Sequence, residues 1–232
     1  MNQFTAEKLM QAWEDIVTDF PFALWETLYA TILATLFAVI IGLPLGMILV
    51  AGDEKGVYPL PGWLMKGINV IINLLRSVPF VILMVMVIPL TRLIIGTPVG
   101  TVASIVPLVI AAFPFVSRLV ESSLREVNPN IIETAQSMGA TPLQIMLNVM
   151  LPESVPSLIT NITLAITTIM GYTAMSGVVG GGGLGMIAYN YGYLRYQAIV
   201  LYAAVIVLVI ITQVIQSFGT WLARKCDKRL KK

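Results

Sequence analysis

Long apolar runs with few charges recur five times along the chain, at about 22–50, 63–90, 99–116, 155–178 and 198–222. Each is close to or longer than the roughly 20 apolar residues needed for a helix to cross a bilayer. The pattern predicts an all-α integral membrane protein with five transmembrane helices in one domain covering 1–232. Polar punctuation sets the boundaries. The first run has no charge between Glu26 and Asp53, and Gly42, Pro44 and Gly46 mark a kink or a close-packing site within it. The turn after it holds Asp53, Glu54 and Lys55, and Pro59, Pro61 and Gly62 keep the chain non-helical. The second run carries Lys66 and Arg76 near its start; we read Arg76 as a snorkelling residue. The third lies between Arg92 and Arg118, with kinks expected at Pro107 and Pro114. Beyond it, Arg118, Glu121 and Arg125 have the spacing of helical ion pairs, so this helix is expected to leave the membrane and enter a loop at about 121–153.

The fourth run differs from the others in its polar positions: Thr160, Asn161, Thr163, Thr167, Thr168, Tyr172, Thr173 and Ser176. A lipid-facing helix does not need them, whereas one facing other helices or a pathway does. Met170, Gly171, Tyr172, Met175 and Ser176 are therefore the candidate pathway residues, although a single Met commonly just fills an apolar gap. The stretch 177–193, rich in Gly and Tyr, suits a membrane interface.

Composition narrows the function. Of 232 residues, 57% are hydrophobic and 11% charged, far below the roughly 25% charged of soluble domains. A net charge of +2 gives no reason to expect nucleic acid. Histidine is absent and Cys226 is the one cysteine, which excludes an intrachain disulfide and argues against His- or Cys-based zinc or haem chemistry. The first twenty residues are acidic and do not read as a secretory signal. Six of the last nine residues are basic, and the positive-inside rule puts that tail in the cytoplasm. Five spans then leave the N-terminus outside and the loop near residue 140 in the cytoplasm.

That loop reads ETAQSMGATPLQIMLNVMLP over 133–152. Ala135 and Gly139 are four apart and share a helix face, where small residues would admit a partner. Thr141 is placed to cap a second helical piece with Pro142 at its first position, and the piece is expected to end near Leu151 and Pro152. The alternative is an amphipathic loop packed on its own membrane domain. The string resembles the EAA loop of ABC-importer permeases: Glu-Ala-Ala, three residues, Gly, nine residues, Ile, one residue, Leu-Pro. Glu133, Ala135, Gly139, Leu151 and Pro152 match, while Thr134 and Val149 depart mildly. The resemblance implies a type I importer permease fold and an ATPase-docking loop at Glu133, Thr134, Ala135, Gly139, Ala140, Thr141, Pro142, Leu151 and Pro152.

Other energy sources and chemistries find less support. Gly180 to Gly183 lack the Lys and Ser/Thr of a phosphate loop, so any ATPase must be a separate subunit. Spans three to five lack the buried carboxylates common in proton-coupled carriers, although a sodium site made of carbonyls and hydroxyls stays open. No repeated filter motif points to a channel, and no nucleophile–base pair points to a membrane enzyme. The strings LRSVPF (75–80), GATPLQI (139–145), GYTAMSG (171–177), GGGLG (181–185) and YNYGY (189–193) resemble the methionine-importer permeases. That likeness implies a homodimer in the bacterial inner membrane with two ATP-binding subunits, which carry ATP and Mg. It also implies an extracytoplasmic binding protein for L- or D-methionine, with no cofactor on this chain. A permease for another amino acid and a gradient-driven carrier are the rival readings.

Overall fold

The fold is seen in a computed structural model that describes residues 6–227, with side chains from Met10 onward. The described residues are helical, with no strand. The last five residues of the basic tail, 228–232, lie outside them. In chain order the helices are α1 (Ala6–Ala51), α2 (Gly62–Ser77), α3 (Phe80–Met86), α4 (Ile88–Ile95), α5 (Thr101–Arg125) and α6 (Pro129–Ser137). Next come α7 (Pro142–Gln144), a π-helical turn (Ile145–Met150), α8 (Leu151–Glu153) and α9 (Val155–Ser176). The chain ends with α10 (Leu184–Ile187), a second π-helical turn (Ala188–Leu194) and α11 (Ala198–Cys226).

Among the described residues, four helices are long and apolar enough to cross a membrane: Met10–Ala51, Thr101–Arg125, Val155–Val179 and Ala198–Cys226. A fifth crossing exists only if α2 and α3 count as one, and these are bent by 106°. The continuous second span expected at 63–90 is thus replaced by a broken one. Pro79 is the cause: it caps α3, and Val78 before it is extended at φ −79°, ψ 125°, as the residue preceding a proline tends to be. Hydropathy averages across such a break and does not see it.

α1 begins well before the expected residue 22. Its 46 residues extend about 69 Å at 1.5 Å per residue, against roughly 30 Å of hydrocarbon. The acidic leading part is helical because it has a face to bury: Ala12, Phe20 and Ala23 pack with Leu184, Ile187, Val200 and Ala204.

The chain divides into two compact units. The first takes residues up to Thr35 with Pro79–Val109 and Ile166–Ile215. Its α1 seam is made of small residues, Ala23, Thr27, Ala30, Thr31 and Ala34, all buried, which lets helices approach closely. Thr31 and Thr173 meet across it at 3.3 Å. The second unit takes Leu36–Val78, Ile110–Ala165 and the chain from Gln216. Here Gly42 and Gly46 act as the close-packing site. A Cβ on Gly42 would lie 2.8 Å from Val116 Cγ1, and one on Gly46 would lie 2.6 Å from Val120 Cβ and 2.7 Å from the Ser117 carbonyl.

Candidate functional site

The loop between α5 and α9 is held by local backbone chemistry. Asn128 caps α6, its side chain accepting from the Asn130 N–H at 3.0 Å, with Pro129 at the first position. The helix closes with the Gly139 N–H donating to the Gln136 carbonyl (2.9 Å) and the Ala140 N–H to the Ala135 carbonyl (3.1 Å). This double closure needs a left-handed residue after the cap, and Gly139 supplies it at φ +80°. Thr141 restarts the chain in a reciprocal cap: its backbone N–H donates to Gln144 Oε1 at 2.9 Å, and its hydroxyl accepts from the Gln144 N–H at 3.4 Å.

Two readings of this loop need correction. Ala135 does not share an open face with Gly139: it is 4% exposed, packed on its own chain, while Gly139 is exposed with nothing within 4 Å of a Cβ built there. Gly139 is required by its dihedral whether or not a partner approaches it. Nor does the second piece end at Leu151 and Pro152. The π-helical turn runs into α8, which carries Pro152 in its first turn, where a missing N–H is tolerated.

The structure sorts the rest by exposure. Ile145, Met146 and Met150 are buried and tie the loop down, whereas Met138 is 77% and Leu143 66% exposed. These two apolar side chains stand on either side of the Gly139 turn. The motif does not mark them; the signal available in the sequence is an apolar residue flanking a tight polar turn. Glu133 and Thr134 are exposed, and Thr134 donates to the Asn130 carbonyl at 2.7 Å. Glu133 also lines a cavity of about 490 Å³ with Lys55, Arg125 and Gln136.

A polar chain runs behind that cavity. Arg118 donates to Glu121 Oε2 (2.7 Å), Asn69 Oδ1 (2.7 Å) and Asn73 Oδ1 (3.0 Å), tying α5 to α2. Arg125 donates to Glu121 Oε1 and, at 2.8 Å, to Asp53 Oδ2. The Arg125 hydrogen bond holds the Asp53 carboxyl below its ordinary value, but both partners are nearly half exposed, so the pair adds little stability. Arg118 and Glu121 are better shielded, at 21% and 14%. Replacing Arg118 with Leu leaves Glu121 Oε2 and both amides without their donor, while Arg125 still holds Glu121 Oε1, and is expected to cost about 1–2 kcal/mol, less than breaking a fully buried pair. Thermal unfolding in detergent should show it, with Arg118→Lys recovering only part, since an ammonium lacks the planar fork.

The five pathway candidates divide around α9. Met170 is 2% exposed and its sulfur accepts from Thr212 Oγ1 at 3.3 Å. Ser176 is buried, donating to the Thr173 carbonyl at 2.7 Å. Tyr172 stacks on Phe80, ring centroids 4.7 Å apart. Only Gly171 and Met175 face outward, continuing a stripe with the exposed Leu164 and Val178.

The profile of the family described as the binding-protein-dependent transport system inner membrane component matches residues 42–232. The chain belongs to that family. This inner-membrane transport component is 47% identical over 208 residues to the probable D-methionine transport system permease protein MetI of Vibrio cholerae, covering 89% of this chain and 92% of that protein. It is 42% identical over 154 residues to the D-methionine transport system permease protein MetI of Escherichia coli, covering 66% and 70%. Among solved structures, it is similar to a chain of the MetNI methionine ABC transporter in inward-facing conformations. The TM-score is 0.88 at 40% identity, over 93% of this chain and 99% of that one.

Proposed function

We propose that this component is the membrane-spanning permease subunit of an ATP-driven methionine importer, and that ATP is hydrolysed by a separate subunit. The observation that carries the reading is a 47% identity extending over 92% of a relative named as a D-methionine permease. In this reading two copies of the chain form the pathway and two ATPase subunits bind beneath them. An extracytoplasmic binding protein delivers methionine. The N-terminus lies outside and the C-terminus in the cytoplasm, in keeping with Arg224 and Lys225 in the last turn of α11 and the positive-inside rule.

The docking loop is the 133–152 segment, and its working surface is the pair Met138 and Leu143 at the Gly139 turn, with Glu133 set back on the cavity. The Gly171 and Met175 stripe faces the second copy and the pathway, while Met170 and Ser176 hold α9 in place. ATP binding favours the arrangement with its subunits closed, the loops transmit that closure, and the two permease halves rock to open outward. Hydrolysis restores the inward-facing state. This is a population shift driven by unequal ATP affinity for the two arrangements.

The test is methionine uptake into proteoliposomes that hold this chain with its copurified partners, with ATP inside and binding protein outside. ATP-dependent accumulation that persists with gradient-collapsing ionophores is expected. Accumulation of a different amino acid would keep the importer and change its substrate. Uptake that ignores ATP and vanishes with ionophores would overturn the reading in favour of a gradient-driven carrier.

A further inference from the structure

Glu26 is a carboxylate within the apolar helix α1, and it holds two segments that lie far from it in sequence. Its Oε1 accepts from Thr101 Oγ1 at 2.6 Å, at the start of α5, and its Oε2 accepts from the Gly183 N–H at 2.8 Å, just before α10. Next to it, buried Thr27 accepts from the Leu184 N–H at 2.9 Å while donating to the Ala23 carbonyl at 3.0 Å.

The segment held is the glycine-rich one. A Cβ on Gly182 would overlap Thr101 Oγ1 and come within 2.5 Å of Glu26 Oε2, and one on Gly183 would come within 2.5 Å of Thr27 Oγ1. Gly183 also sits at φ +82°. The glycines are thus there so that backbone can lie directly on the carboxylate. The segment is further tied by the Gly181 N–H to the Ser176 carbonyl and by the Gly100 N–H to the Gly180 carbonyl, each at 2.8 Å. Glu26 borders a cavity of about 630 Å³, shared with Asp19, Tyr191 and Arg195.

A charged acceptor is expensive inside an apolar span. Here, among the described residues, the hydrogen bonds it accepts come from neutral donors, Thr101 and the Gly183 N–H, and such bonds to a charge are roughly twice as strong as neutral ones. Such a contact holds firmly, yet its release strands no cation. We propose that Glu26 is a latch: it fixes the glycine loop over the outer end of this unit, and the loop is released when the transporter opens outward. The proposal rests on the importer reading. In it Glu26 is a positioning residue that touches no substrate.

The test uses the complete complex with Glu26→Ala, Glu26→Gln and Gly182→Ala, the last wedging the loop off while keeping the carboxylate. Hydrogen exchange across 177–187 reads the latch itself, and ATPase rates with and without loaded binding protein read its consequence. Both Glu26→Ala and Gly182→Ala should speed exchange at the Gly183 and Leu184 amides at least tenfold. They should also raise ATPase without binding protein, bring the stimulation ratio toward one and lower uptake about tenfold. Glu26→Gln should be intermediate, since its amide can accept from only one of the two donors.

Unchanged exchange would overturn the latch. Faster exchange with wild-type stimulation and uptake would overturn its part in coupling. Failure of all three variants to assemble would make Glu26 a folding residue and overturn the proposal too. If wild-type uptake proves independent of ATP, the importer reading falls, and the exchange data still decide whether the latch exists.

Discussion

Replacing Met138 and Leu143 together with Asp is expected to abolish copurification of an ATPase subunit and, with it, ATP-driven uptake. Both side chains are largely exposed on the chain itself, at 77% and 66%. Burying an apolar side chain of this size is worth roughly 1.5–3 kcal/mol, so the pair accounts for about 3–6 kcal/mol per loop. That is a loss of roughly two to four orders of magnitude in affinity, before the added cost of burying carboxylates. The chain's own fold should be untouched, because Ile145, Met146 and Met150, which anchor the loop, remain buried. Size-exclusion profile and melting temperature of the purified chain check the second half of this expectation, and pull-down of the ATPase checks the first. A doubly substituted chain that still brings down its ATPase would place docking elsewhere.

The second large effect is expected at Gly46. Its missing Cβ lets α1 lie on α5, with Val120 and the Ser117 carbonyl in the way of any side chain. One obstacle is backbone, so relief requires moving a helix. Overpacking of this kind costs typically 1–3 kcal/mol; Gly46→Ala should reach that range and Gly46→Leu should exceed it. The readout is melting temperature and the monodisperse fraction after detergent extraction. Gly67 on α2, where a Cβ meets nothing within 4 Å, is the matched control, and Gly67→Ala should leave both unchanged. An intact Gly46→Leu protein would mean the two helices separate freely.

The distinction between these two glycines shows where a sequence stops being legible. Gly46 lies in an apolar run and Gly67 directly follows Lys66; both are glycines inside helices, and only the neighbour's position shows that the first is a packing requirement. Gly139 is a related case. Its place in a family motif marks it as important and suggests space for a partner; the structure adds a reason that spacing does not show, a left-handed dihedral that closes α6. Spacing places Ala135 on the docking surface, and its burial against its own chain takes it off the exposed face. Met138 and Leu143 are invisible to motif matching, which weighs identity at fixed positions and not the exposure of what lies between them.

What the sequence determined by itself was the membrane class, the all-helical fold and the family. These follow from properties that act locally or in sum: apolar length, charge placement and a dense motif. Only the tertiary structure decided that α2 and α3 meet at 106°, that Met170 and Ser176 are packing residues while Gly171 and Met175 face out, and that Glu26 reaches Thr101 and Gly183. The physical reason is the same in each. A hydrogen bond or a packing contact depends on which distant segment arrives beside a residue, and neither hydropathy nor helical period carries that information.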